Sequence, residues 1–194
     1  MSVTDSISIP RDGASDGLRE RLIKAAIRVI SRESHRSITT ASIGAQALLG
    51  AHAVDRAFPG GERECLTAAC NRLIEGALQI TECATGGEAD AASRAHSALL
   101  ALTAWMDAHK ARARFIMDLL DADLALREET VERFSELLSQ MADLPANQAR
   151  RLTVECYQSL HQQVSRRKPT SDVVPEMLYR ILTKLETPIE FPGH

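Results

Sequence analysis

The sequence predicts an all-α protein: a three-helix head of helix-turn-helix type, followed by a body of roughly six longer helices. Alanine and leucine are abundant and β-branched runs are scarce, which favours helix over strand. Apolar residues recur three and four positions apart along most of the chain, the period of a helix with one buried face. Hydrophobic residues are 44% of the 194, yet aromatics are only 4%. Aliphatic side chains must therefore build the core of a small head and a larger body.

Residues 1–17 read as a flexible arm without the apolar stretch of a signal peptide. The first helix is expected over Leu18–Arg32, with Asp16 as N-cap. Leu18, Leu22, Ala25, Ala26, Val29 and Ile30 share one face, and the charged residues lie on or beside the other. Thr39 is placed to cap a short helix through Gln46, with Ile43 and Ala47 inward. A tight turn at Leu48–Gly50 leads to a third helix, Ala51–Phe58, whose buried pair is Val54 and Phe58. The "PGG" at 59–61 stops it. The head thus spans 18–61.

The body is expected over 62–186 and an irregular tail over 187–194. Helices are predicted over Glu62–Cys83, Ser93–Ala108 and Ala111–Asp121, with a kink near Asp121–Asp123. Further helices follow over Arg127–Met141 and over Ala146–Arg166, just after Pro145. The last runs through Leu185, capped by Ser171 or Asp172. No repeat, phosphate loop or nucleophile elbow appears.

Net charge is −3, so bulk charge does not attract a polyanion. Its distribution is uneven: residues 1–57 hold eight Lys/Arg against six Asp/Glu, which leaves the excess of acid in the remainder. That small asymmetry points to a nucleic-acid contact at the N-terminal end. Cys65, Cys70, Cys83 and Cys156 form no CxxC pair and no zinc-like cluster. They read as reduced, buried small hydrophobes, with a thiol redox sensor as the alternative. No nucleophile–base spacing or metal set is present; the expectation is a non-enzyme without metal or cofactor. No apolar run reaches the roughly 20 residues of a membrane span, and a cytoplasmic location is the default expectation.

The segment Leu18–Leu66 resembles the DNA-binding head of TetR/AcrR-type regulators. Arg19 with "LIKAA" matches the first-helix signature, and Thr39 and Ile43 sit where that family has a Thr and an Ile. Ala47 matches the small residue closing the second helix, and Phe58 with "PGG" the close of the head. The resemblance covers about a quarter of the chain. It implies a ligand-responsive transcriptional repressor that acts as a homodimer on double-stranded operator DNA. The alternative is a dimeric small-molecule- or partner-binding protein with a vestigial head.

The candidate DNA-binding residues are Arg19, Thr39, Thr40, Gly50, His52 and Arg56. Hydroxyls and cations here would meet phosphates, and His52 or Arg56 could reach base edges. For Arg56 the competing reading is an exposed ion pair. Several family contacts are missing: Ala53 stands for the usual Thr, Asp55 for the Tyr and Glu62 for a Lys. Asp55 either pairs internally, with Arg19 for example, or marks a head that binds DNA weakly. Leu48 replaces a turn glycine, and Gly50 is the candidate to take over positive φ.

The resemblance also implies an effector pocket among the central helices and a four-helix dimer interface. Trp105, Met106, Phe115 and Tyr157 are candidate walls for a small apolar or amphipathic effector, with His109, His161 or Arg114 as polar anchors. The same cluster at helical spacing more often reads as plain core. Leu152, Leu160, Met177, Leu178, Ile181 and Leu185 are candidates for the interface, or for the core within one subunit.

Overall fold

The computed structural model describes residues 12–32, 38–87 and 90–185, which form nine α-helices and a short 3-10 turn, with no strand among them. Contacts divide the chain into two units that meet within one helix, at Ala69–Cys70.

The first unit contains α1 (Asp12–Ile30), α2 (Thr40–Gln46), α3 (His52–Ala57) and the start of α4 (Gly61–Ala84). Its core holds Leu22, Ala26, Ile30, Ile43, Val54 and Phe58, each at most 1% exposed. These are the residues that the helical spacing singled out. Burying an aliphatic or aromatic side chain of this size is worth roughly 1.5–3 kcal/mol. Two expectations need correction. Helix α1 begins by Asp12, so Asp12–Gly17 belong to it rather than to the arm. Asp16 therefore lies inside the helix and does not cap it. Residues 1–11 lie outside the described residues.

Helix α2 starts at a capping box: Thr39 Oγ1 accepts from Ser42 N at 3.2 Å, and Ser42 Oγ accepts from Thr39 N at 3.0 Å. Two orphan amide donors are thereby satisfied.

The second unit contains the rest of α4, then α5 (Ala91–Ala108), α6 (Lys110–Ala122), α7 (Leu124–Ala142), α8 (Ala146–Ser165) and α9 (Val174–Leu185). Asp90 caps α5 by accepting from Ser93 N at 2.8 Å. The expected kink is a full break: Asp123 ends α6 and caps α7 through Leu126 N at 3.1 Å. Helix α7 packs along α8, and α5 along α9.

Neither Ser171 nor Asp172 caps α9. Both lie in the 3-10 turn Thr170–Val173 that precedes it. That turn is fastened to α5 by Asp107, whose carboxylate accepts from Thr170 N (2.7 Å), Thr170 Oγ1 (2.9 Å), Ser171 N (3.2 Å) and Ser171 Oγ (2.9 Å). Partial burial opposes ionisation of Asp107, but these hydrogen bonds outweigh it and hold its pKa below the ordinary carboxylate value. The tail over 187–194 lies outside the described residues.

Four buried hydroxyls are satisfied within their own helices. Thr81, Thr103, Thr130 and Ser135 each donate to the carbonyl four residues back, at 2.6–2.8 Å. Cys65 and Cys70 are fully buried, and burial pushes their thiols up to about 11 and about 12. Cys156 is likewise raised, to about 12. Cys83, exposed, and Cys156, half-buried, depart from the expectation of burial.

Candidate functional site

In the head, α2 and α3 are joined by a turn that brings backbone very close to backbone. Leu49 N donates to Gly44 O at 2.8 Å. A Cβ built on Gly44 would lie 2.9 Å from Gly50 O and 3.1 Å from Leu49 O. Gly44 is thus the glycine the crossing requires, a residue that sequence reasoning missed. Positive φ falls on Leu48, at +57°, and not on Gly50, so the expected hand-over to Gly50 does not occur. Leu48 is also 85% exposed, and its side chain gains little from burial. A Cβ on Gly50 would meet the His52 ring, whose Cε1 would be 2.5 Å away; the imidazole folds back over the turn.

Helix α3 presents His52, Asp55 and Arg56 to solvent and buries Ala53, Val54 and Ala57. Ala53 is only 5% exposed, so a residue there packs inward rather than toward a ligand of the head. Thr39 is exposed, and Thr40 half-buried beside it. The outward surface of α2–α3 thus carries hydroxyls, one imidazole, one cation and one carboxylate.

Arg19 is placed differently from the expectation of a DNA contact. Its guanidinium donates to Ala57 O at 2.6 Å, pairs with Glu64 at 3.0 Å and lies over the Phe58 ring, 4.3 Å from the centroid. It serves the interior of the head, binding the negative end of α3 to the start of α4. Glu64 also accepts from Gly60 N at 2.8 Å. That bond and Arg19 hold the Glu64 carboxyl below its ordinary pKa. Arg19 is therefore not the internal partner of Asp55 suggested by the sequence.

In the body, the central helices line a cavity of about 130 Å3. Trp105, Met106 and Tyr157 line it. Phe115 does not; it is buried elsewhere. His109 and His161 do not line it either. The His109 ring stacks on Trp105 at 5.4 Å, and its Nδ1 lies 3.0 Å from Trp105 O. His161 Nε2 contacts Asp121 at 2.7 Å and stacks with Tyr157. The other Asp121 oxygen accepts from Tyr157 Oη at 2.9 Å. Burial first, then this bond, raises the Tyr157 phenol above its ordinary value. Asp121 is the shared partner that sequence reading did not identify.

No charged side chain lines the cavity. Thr81 and Thr130 reach it, but their hydroxyls are committed to backbone carbonyls. Arg114, the third proposed anchor, lies outside the cavity, 3.8 Å from Asp118.

The expected interface residues mostly turn inward. Leu152, Leu160, Met177 and Ile181 are 1–5% exposed within a single chain, and the last three line the cavity. They are core because α8 and α9 direct their most apolar stripes at α5 and α7. Leu178 is half-buried against the same core. The side chain of Leu185 lies outside the described residues. The outward face of α9 carries Tyr179, 69% exposed.

No protein-family model matches the sequence, and no curated protein matches it at a significant level. Solved structures do match in fold. A TetR transcriptional regulator from Rhodococcus sp. RHA1 aligns over 90% of this chain and 99% of its own, with a TM-score of 0.70 and 12% identity. Thermus thermophilus FadR, a TetR-family repressor crystallised with lauroyl-CoA, covers 91% and 98%, with a TM-score of 0.67 and 14% identity. The multidrug-binding protein EbrR, complexed with imidazole, covers 84% and 93%, with a TM-score of 0.67 and 21% identity. With its helix-turn-helix head and all-helical body, the chain has the fold of the TetR-family transcriptional regulators.

Proposed function

We propose that this protein is a dimeric, effector-responsive transcriptional repressor that binds operator DNA through α2 and α3. The observation that carries the reading is the head itself. A capped α2, a tight Gly44–Leu49 crossing and an α3 with His52 and Arg56 outward make a unit shaped for the major groove. Thr39 and Thr40 supply phosphate contacts at the start of α2, and Arg56 and His52 supply groove contacts. Two heads related by a two-fold axis would address half-sites about 34–36 Å apart. The exposed Tyr179 on α9, with the half-buried Leu178 and Leu182 beside it, supports a second copy packing on the outer face of that helix. The charge-free cavity supports control by a small apolar or amphipathic effector. Such control is a coupling free energy: an effector that favours a head spacing unsuited to DNA lowers DNA affinity by the same factor that DNA lowers its own.

One observation favours a second reading, a dimeric binding protein whose head no longer grips DNA. Asp55 is exposed on the outer face of α3, and Arg19 is taken up inside the head. Fluorescence anisotropy with the protein's own upstream DNA, at two salt concentrations, separates the two. Specific, salt-sensitive binding supports the repressor. Unmeasurable binding at low salt overturns it in favour of the second reading. Sedimentation at micromolar concentration tests the dimer, and a monomer there would remove it.

A further inference from the structure

The cavity is about 130 Å3, close to the roughly 150 Å3 that accepts a benzene ring. It has room for about six carbons and offers no charged partner. Any larger effector must leave it. Met106 and Ala113 line this cavity and also a second, larger recess of about 220 Å3. The two spaces are therefore separated by a wall of few side chains, one of them a flexible thioether able to change rotamer.

The second recess is basic. Lys110, Arg114, Arg167 and Lys168 line it, with Asp107 as its one carboxylate. Asp107 is already saturated by Thr170 and Ser171, and Arg114 faces Asp118. Among the described residues, no carboxylate lies within ion-pair distance of Lys110, Arg167 or Lys168. The backbone carrying the last two is held in place. Arg167 N donates to Val164 O and Lys168 N to Gln163 O, at 3.1 and 3.0 Å, with Arg167 at φ +57°. Several uncompensated cations around one recess suit a phosphate or carboxylate, whose charge-assisted hydrogen bonds are about twice as strong as neutral ones.

We infer that the effector is an anionic amphiphile, with a short apolar tail in the cavity and a phosphate or carboxylate head in the recess at Lys110, Arg167 and Lys168. The inference rests on the cavity being the effector site of the proposed repressor. The competing account is that Arg167 and Lys168 only offset the negative end of α8. In that case they affect stability and not binding.

Trp105 is the only tryptophan in the chain and lines the cavity, so its fluorescence reports occupancy. The intact protein is titrated with hexyl phosphate, 1-hexanol and inorganic phosphate. Hexyl phosphate is expected to bind at least about tenfold more tightly than 1-hexanol. The Lys110→Gln/Lys168→Gln variant, with an unchanged melting temperature, is expected to lose that preference while keeping its affinity for 1-hexanol. Equal binding of alcohol and phosphate ester would overturn the anionic head and leave the effector cavity standing. A preference that survives the double variant would overturn the role of the recess. Inorganic phosphate binding as tightly as hexyl phosphate would show a free-anion site and overturn the amphiphile. Binding of none of the three would overturn the inference and the effector reading together.

Discussion

The guanidinium of Arg19 sits 4.3 Å above the ring of Phe58, which is fully buried. The same group holds the carbonyl of Ala57 and the carboxylate of Glu64. One side chain of α1 thus binds the end of α3, the aromatic that closes the head and the first turns of α4.

Arg19→Ala should destabilise the head by about 1–3 kcal/mol, from the lost cation–π contact and the charge-assisted hydrogen bonds. Arg19→Lys should recover only part of this, because an ammonium cannot reproduce the planar fork. Urea unfolding measures both. If Arg19 instead touched DNA phosphate, its loss would lower the salt slope of DNA binding by about one unit; the structure predicts an unchanged slope.

Two neighbouring glycines should respond differently. Gly44→Ala places a Cβ against the carbonyls of Gly50 and Leu49, at 2.9 and 3.1 Å. Backbone cannot rotate away, so a cost of about 1–3 kcal/mol is expected. Gly50→Ala meets only the movable His52 ring and should change stability by less than about 0.5 kcal/mol. Equal melting shifts for the two variants would show that the turn is looser than described.

Leu48→Gly should stabilise the head. The left-handed conformation costs a leucine roughly 1–2 kcal/mol, and the extra chain entropy of glycine costs roughly 0.5–1 kcal/mol. The net gain is about 0–1.5 kcal/mol, read as a higher urea midpoint. A loss of stability would mean that the exposed leucine is covered in solution.

Asp55→Tyr should tighten operator binding. An aspartate near a phosphate costs about 1 kcal/mol at roughly 4 Å in water, which is about fivefold in affinity. Anisotropy titrations of the wild type and variant on the same DNA compare them directly; weaker binding by the variant would assign Asp55 a positive contact.

Acid should weaken both units through carboxylates with lowered pKa. Glu64 and Asp107 are both depressed in the folded state. Their contribution is therefore complete above the ordinary carboxylate range and disappears as pH falls through their folded values. Glu64→Gln and Asp107→Asn should each flatten the acid limb of the melting curve and leave its slope near neutrality unchanged.

Helix positions, their buried faces and the capping residue Thr39 were legible because they depend on neighbours three or four residues apart. The Thr39–Ser42 box is such a local device, and so is the spacing of Val54 and Phe58. Arg19 was legible as a cation but not as a clamp, since its partners lie 38 and 45 positions away. The same holds for Asp107 with Thr170, 63 positions apart, and for Asp121 with Tyr157, 36 apart. The spacing of Leu160, Met177 and Ile181 said that they face something apolar. It did not say whether that surface belonged to the same chain, because periodicity records a buried stripe and not its partner.

By itself, then, the sequence determined an all-helical chain, the frame of the head and the residues of its core. Only the tertiary structure decided that α8 and α9 turn their apolar stripes inward, that the strain of the turn falls on Leu48, and that an uncharged cavity adjoins a basic recess. Helical order follows from local periodicity and capping, whereas the partner of a face, the position of a strained residue and the volume left between helices depend on packing across the whole chain.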